Sequence, residues 1–216
     1  MCLFRYVPPN ISFNMNIKNT WEELTFNEVL QIQQIISADI NDTYKASNIL
    51  AVLAGVGVDE IEDLPIHQFY KLTPNIEFLR NDPPKCDHKD VYDINGRKYC
   101  LSANITDITT AQYIDYQSYM REENPDLCKI TSVFLIPDGH KYNDGYDIEQ
   151  VWKDVGDMLY IDAMALAFFL RKQLALYIIT LTDCFEGEMR KAWPKKKVKE
   201  ILHPLNSMAL SLLSSE

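Results

Sequence analysis

The sequence predicts a mainly α-helical fold with a small β-hairpin and an N-terminal strand, arranged as two pseudo-repeated helical lobes. Three observations lead there. Apolar residues recur at helical spacing over most of the chain, a single Asn-Gly separates two alternating runs, and residues 20–53 are echoed at 104–137. In the echo, Thr25, Gln33, Asp42 and Lys45 recur as Thr109, Gln117, Asp126 and Lys129, a constant offset of 109 − 25 = 84. Each Lys introduces an apolar run, Ile49 to Val52 in one copy and Val133 to Ile136 in the other. Farther on, Ile76 to Arg80 matches Ala167 to Arg171 at an offset of 91, so the second copy carries 91 − 84 = 7 extra residues.

Residues 1–18 alternate Ile11, Phe13, Met15 and Ile17 with Ser12, Asn14 and Asn16, the period of a half-buried strand or arm. Thr25 followed by Glu28 is a capping box that starts a helix to about Ile36, with Val29, Ile32, Ile35 and Ile36 as its buried stripe. A second helix spans Lys45 to Ala54 and ends at Gly55-Val56-Gly57. Asp59 to Glu62 opens a short element, and Pro65 starts a helix over Ile66 to Tyr70 with Phe69 inward. Pro74 begins a segment through Arg80, which Asn81-Asp82-Pro83-Pro84 breaks. Val91 to Leu101 around Asn95-Gly96 reads as a hairpin with a type I′ turn.

Thr109 with Gln112 caps a helix to about Arg121, and a polar loop follows from Pro137 to Tyr146. Asp147 to Val155 is helical, Leu159 to about Lys191 forms one or two long helices, Pro194 marks a break, and Val198 to Leu213 is amphipathic. The chain therefore divides into an arm (1–18), a first helical lobe (19–82), a linker with hairpin (83–103), a second helical lobe (104–191) and a basic, amphipathic tail (192–216).

The bulk numbers set limits on function. A 47% hydrophobic, 24% charged chain of 216 residues is globular in composition, and a net charge of −10 disfavours a general nucleic-acid binder. Arg190, Lys191, Lys195, Lys196, Lys197 and Lys199 form the exception, a basic cluster suited to a helix end or to touching nucleic acid, a membrane face or an acidic partner. The apolar window at 159–181 is interrupted by Asp162, Arg171 and Lys172, which argues for a core helix over a membrane span. Five scattered cysteines fit a reducing compartment better than a disulfide framework, and the N-terminus lacks the pattern of a secretory leader.

Motifs for chemistry are sparse. Gly55-Val56-Gly57 is followed by Glu60 where a phosphate loop needs a third Gly, and a calcium frame centred on Gly145 begins at His140 and ends at Val151. Cys86, His88 and Cys100 flank the hairpin without a second ligand pair for zinc. His67, His88, His140 and His203 stand in no nucleophile motif. No catalytic residue, cofactor or metal site is expected. The candidate residues are instead partner contacts: Tyr113, Tyr116 and Tyr119 on one helical flank, Tyr142 in the polar loop, Lys195, Lys196 and Lys197 in the basic cluster, and Leu210 and Leu213 near the C-terminus.

Trp21-Glu22-Glu23-Leu24-Thr25-Phe26-Asn27-Glu28-Val29-Leu30, followed by Ile105-Thr106-Asp107-Ile108-Thr109-Thr110-Ala111-Gln112-Tyr113-Ile114-Asp115, resembles small structural and assembly proteins of tailed bacteriophages. It is similar to tail-assembly-chaperone-like proteins and to virion-gene products of crAss-like gut phages. The resemblance spans roughly residues 20–171. It implies a non-enzymatic virion structural protein of the neck, connector or tail region, working by multivalent protein contacts, located in the virion and in host cytoplasm during assembly. Its implied partners are portal, connector or tail subunits, with a homo-oligomeric ring as the expected state. Three alternatives stand beside it: a tail-assembly chaperone absent from the mature virion, a small host regulatory adaptor, and an unrecognised Cys/His enzyme.

Overall fold

Two residues set the ends of the best-defined helix. Asn41 accepts the Tyr44 amide through its side chain at 2.8 Å, and Gly55 takes a left-handed conformation (φ 66°) that lets its amide close on the Ala51 and Val52 carbonyls. The computed structural model describes residues 15–102, 108–192 and 194–214, with only the backbone of some positions in the last two helices. It divides into two units, one made of residues up to Glu23 with Leu30–Asp82, the other of Leu24–Val29 with Pro83–Glu216.

The regular structure of the first unit is helical among its described residues. Helix α1 (Phe26–Ser37) starts in the second unit and continues into the first; α2 (Asp42–Ala54), α3 (Val58–Glu62), α4 (Ile66–Leu72) and a 3-10 segment (Thr73–Arg80) follow. Their apolar faces enclose Leu50, Ala51, Ile61 and Phe69, with Leu64, Leu72 and Ile76 packed around them. Trp21 tethers the other end of this segment, donating to the Asn81 carbonyl at 3.2 Å with its ring edge-on to Phe78. Residues 1–14 of the expected arm lie outside the described residues. Met15 and Ile17, at its end, are irregular in conformation and pack against the core cluster. The α1 capping box forms as expected, Thr25 and Glu28 exchanging backbone-to-side-chain bonds. Its stripe is shorter than the periodicity suggests: Val29 and Ile32 are buried while Ile36 is 52% exposed, because the stripe drifts off the packed face in the last turn.

In the second unit, β1 (Val91–Ile94) and β2 (Arg97–Leu101) form the expected hairpin, with Asn95 and Gly96 both at positive φ (53° and 74°) as a type I′ turn requires. Tyr92 and Tyr99 are paired across it and buried. A third strand, β3 (Leu135–Pro137), joins β2 antiparallel in the order β1-β2-β3. Helices α5 (Thr110–Met120), α6 (Leu127–Ser132) and α7 (Ile148–Asp157) start at Thr109, Asp126 and Asp147, each of whose side chains accepts an amide of the first turn. Short backbone bonds join the start of α1 to the turn after α7: Phe26 donates to Met158 and Tyr160 to Leu24. Helix α8 (Tyr160–Ala192), about 50 Å long at ~1.5 Å per residue, pairs with α9 (Lys195–Ser214). Pro204 lies inside α9, where it leaves one turn without its amide donor. No described helix is long and apolar enough to cross a membrane.

The sequence echo does not carry through into structure. After two helices in each copy, Ile49 to Val52 continues α2, whereas its counterpart Val133 to Ile136 leaves α6 and enters β3. The same Lys-led apolar run is helical where it can bury one face among helices and extended where β2 offers a free edge.

Candidate docking surfaces

The second unit is organised around an acid in an apolar stripe. Helix α7 buries Val151 and Val155, and Met158 follows one turn on, at the spacing of one face; Asp154 occupies that face and is completely buried. Its carboxylate accepts from Arg97 (2.8 and 2.7 Å), Gln150 (2.9 Å), Asn95 (3.3 Å) and the Tyr99 hydroxyl. Three of these four donors come from the hairpin, so Asp154 pins the Asn95-Gly96 turn to α7. Burial alone would push its pKa up; the donated hydrogen bonds from Tyr99, Arg97, Gln150 and Asn95 outweigh that and hold it below the usual carboxylate value. Burial and the same carboxylate push the Tyr99 hydroxyl the other way, well above its ordinary value. The arrangement is structural chemistry, a satisfied buried ion rather than a group poised to react.

Of the residues singled out in the sequence, the three α5 tyrosines do not form one surface. Tyr113 is 49% exposed, whereas Tyr116 is turned edge-on to Phe134 and Tyr119 edge-on to Trp152. Tyr142 reaches back from the polar loop and donates to Asp115 at 2.7 Å, its pKa raised by burial first and by that bond second. Lys129 lies over the Trp152 ring at 4.9 Å, and the Trp152 indole N–H is buried with no described acceptor. Lys196 and Lys197 are exposed in the first turn of α9, and Leu210 is 62% exposed near its end; the side chains of Lys195 and Leu213 lie outside the described residues.

Cys86, His88 and Cys100 have separate roles. Cys86 donates its thiol to the Ile161 carbonyl at 3.0 Å, His88 stacks on Phe169 at 3.8 Å, and Cys100 contacts Asp138 at 3.5 Å. No group of three or more His, Cys, Asp or Glu among the described residues is placed to hold a metal ion. With the Lys89–Asp162 ion pair at 2.7 Å, the Cys86 and His88 contacts lay the 83–90 segment along the first turns of α8. Sequence reasoning missed what this makes, a cavity of about 380 Å³. Its walls are Pro83, Pro84, Ile161, Met164 and Phe168, and its rim carries Lys85, Arg171 and Lys172 against Asp87. Burial, with Asp162 as the next cause, raises the Cys86 pKa and keeps it a thiol at neutral pH.

The first unit has its own depression, of about 400 Å³, between α2 and the α3–α4 corner, with Asn41, Thr43, Ser47, Leu64 and Phe69 among its lining. Beside it Ile66 and Tyr70, one turn apart on α4, are 63% and 62% exposed. Comparison with protein-family models, with curated proteins and with solved structures finds no match to this chain.

Proposed function

We propose that the chain is a non-enzymatic structural protein of a tailed-phage virion, in the neck, connector or tail region, acting by several protein contacts at once. The observation that carries the contact part of this reading is the number of large apolar side chains exposed on separate elements: Ile66 and Tyr70 on α4, Phe168, Leu176 and Phe185 on α8, and Leu210 on α9. Scattered exposed apolar residues are ordinary, but ones that border grooves mark surfaces that other proteins cover. The virion part rests on the phage-like wording around Thr25 and Thr109. Portal, connector or tail subunits are the partners this reading names, and the exposed lysines at the start of α9 are the place for contact with packaged nucleic acid.

Quantitative mass spectrometry of purified particles from a host carrying the gene tests it. A fixed copy number relative to the capsid protein is expected. Expression during infection with no peptides in mature particles would instead mark a tail-assembly chaperone, the second reading, which the same exposed apolar surfaces support.

A further inference from the structure

The two units expose surfaces of unlike chemistry. Helices α3 and α4 meet at a corner where Asp59, Glu60, Glu62 and Asp63 precede the exposed apolar pair Ile66 and Tyr70, with Lys71 next in sequence. The cavity on α8 presents the opposite features: proline, Ile161, Met164 and Phe168 walls, with Lys85, Arg171 and Lys172 on a rim that also carries Asp87. In a chain of net charge −10 a cationic rim around an apolar pocket is unusual, and most surfaces of the same chain repel one another.

From this complementarity we infer that the α8 groove receives the α3–α4 corner of a second copy of the chain, with Ile66 and Tyr70 entering the apolar pocket and Glu62 and Asp63 facing Lys85 and Lys172. Apolar burial supplies most of the affinity, since exposed ion pairs are individually weak, while the charges together add to it and set orientation and association rate. The contact is heterologous: groove and corner are different surfaces, so every copy joined through its groove still offers its corner. Such contacts build rings or open arrays rather than closed dimers. The inference rests on the protein-contact part of the proposed function and is independent of the virion.

Sedimentation of the full chain at low and high salt tests it. The wild type is expected to form species larger than a dimer that disperse as salt rises. Lys85→Glu with Lys172→Glu should weaken association by ~10-fold or more, and Glu62→Lys with Asp63→Lys should do the same, reversing two exposed pairs in each case. Mixing the two variants is decisive. Each variant alone sets like charges against each other, but in the mixture the acidic groove of one meets the basic corner of the other and the two unchanged surfaces meet as in the wild type, so alternating copies should recover species larger than a dimer. Circular dichroism melts matching the wild type confirm that the variants fold, as expected for four exposed side chains. A monomeric wild type, unchanged association in either variant, or a mixture that stays monomeric overturns the contact. A monomeric chain whose peptides are nevertheless present in particles overturns this inference alone, whereas self-association by a chain absent from particles overturns only the virion reading.

Discussion

In the unit containing residues 30–82 the interior is apolar, centred on Leu50, Ala51, Ile61 and Phe69, and the buried hydroxyl of Ser47 is answered within its own helix by the Thr43 carbonyl. In the unit containing residues 83–216 the interior holds an ionised carboxylate, Asp154, with donors from two strand residues, a turn residue and its own helix. The difference lies in what each core specifies. Apolar contact is non-directional and tolerates repacking at constant volume, whereas a buried carboxylate is tolerable only if its donors arrive in one geometry. Helices connected by short turns need little more than the first kind of core. A three-stranded sheet whose third strand is recruited from 34 residues downstream, Leu101 pairing with Leu135, gains register from the second.

The largest expected effect is in the apolar unit. Leu50→Ala removes a completely buried side chain and should cost about 2–5 kcal/mol, the range for leucine truncation in a packed core. Urea unfolding, followed by hydrogen exchange to locate the loss in residues 30–82, measures it. The cost should be the same at pH 7 and pH 3, because nothing that Leu50 touches in the cluster titrates.

Asp154→Asn should cost less, about 1–3 kcal/mol, because it sets an amide NH2 among groups that are themselves donors. Its signature is pH dependence. The folded pKa lies below the ordinary 3.8, so the carboxylate's contribution is whole above about pH 4 and is lost as pH falls through the folded value. The stability gap between wild type and variant should therefore narrow in acid, unlike that of Leu50→Ala. A gap that stays constant as the pH is lowered would mean that the two cores are held alike, and the comparison would fail.

How much of this was legible follows the range of the interactions. Both capping boxes, the Gly55 stop and the Asn95-Gly96 turn are set by residues within a few positions of one another, and all four formed. The β3 strand was not legible, because so short an apolar run becomes extended only through a partner strand far away in sequence. The α8 groove was hidden for the same reason: Cys86 and Ile161 are 75 residues apart, and once a zinc site was set aside Cys86 read as an ordinary loop residue rather than a loop anchor. Asp154 did leave a trace, an acid three residues after Val151 in a Val-x-x-x-Val stripe, with Arg97 and Tyr99 alternating on a strand. That trace becomes readable only once the hairpin and α7 are known to face each other. The repeated wording misled about architecture because it encodes helix starts, and a helix start does not determine what the chain does two turns later.

The smallest effect probes the packing of α1's first turn in the second unit. A Cβ on Gly156 would stand 2.1 Å from the Asn27 side-chain nitrogen and 2.7 Å from its Cγ, too close for either to remain. Asn27 is exposed, so its amide can swing away, but its oxygen accepts the buried Cys128 thiol at 3.5 Å and the displacement breaks that contact. Alanine is intrinsically better in a helix than glycine by roughly 1 kcal/mol, so Gly156→Ala carries two terms of opposite sign. In the wild-type background the displaced amide and its lost thiol contact should offset the propensity gain, leaving the substitution within about 1 kcal/mol of neutral. In an Asn27→Ala background the propensity term alone remains, and the same substitution should stabilise. Chemical denaturation of the four proteins of this double-mutant cycle reads the coupling directly. The Cys128 thiol, raised to about 12 chiefly by burial, supplies an independent readout: it should react with thiol reagents far more slowly than the exposed Cys184, and faster in Gly156→Ala than in the wild type if Asn27 is displaced. Stabilisation by Gly156→Ala in the wild-type background equal to that in the Asn27→Ala background would show that Asn27 does not fill this space, and the polar, directional packing that distinguishes the second unit from the first would then be confined to the hairpin and Asp154.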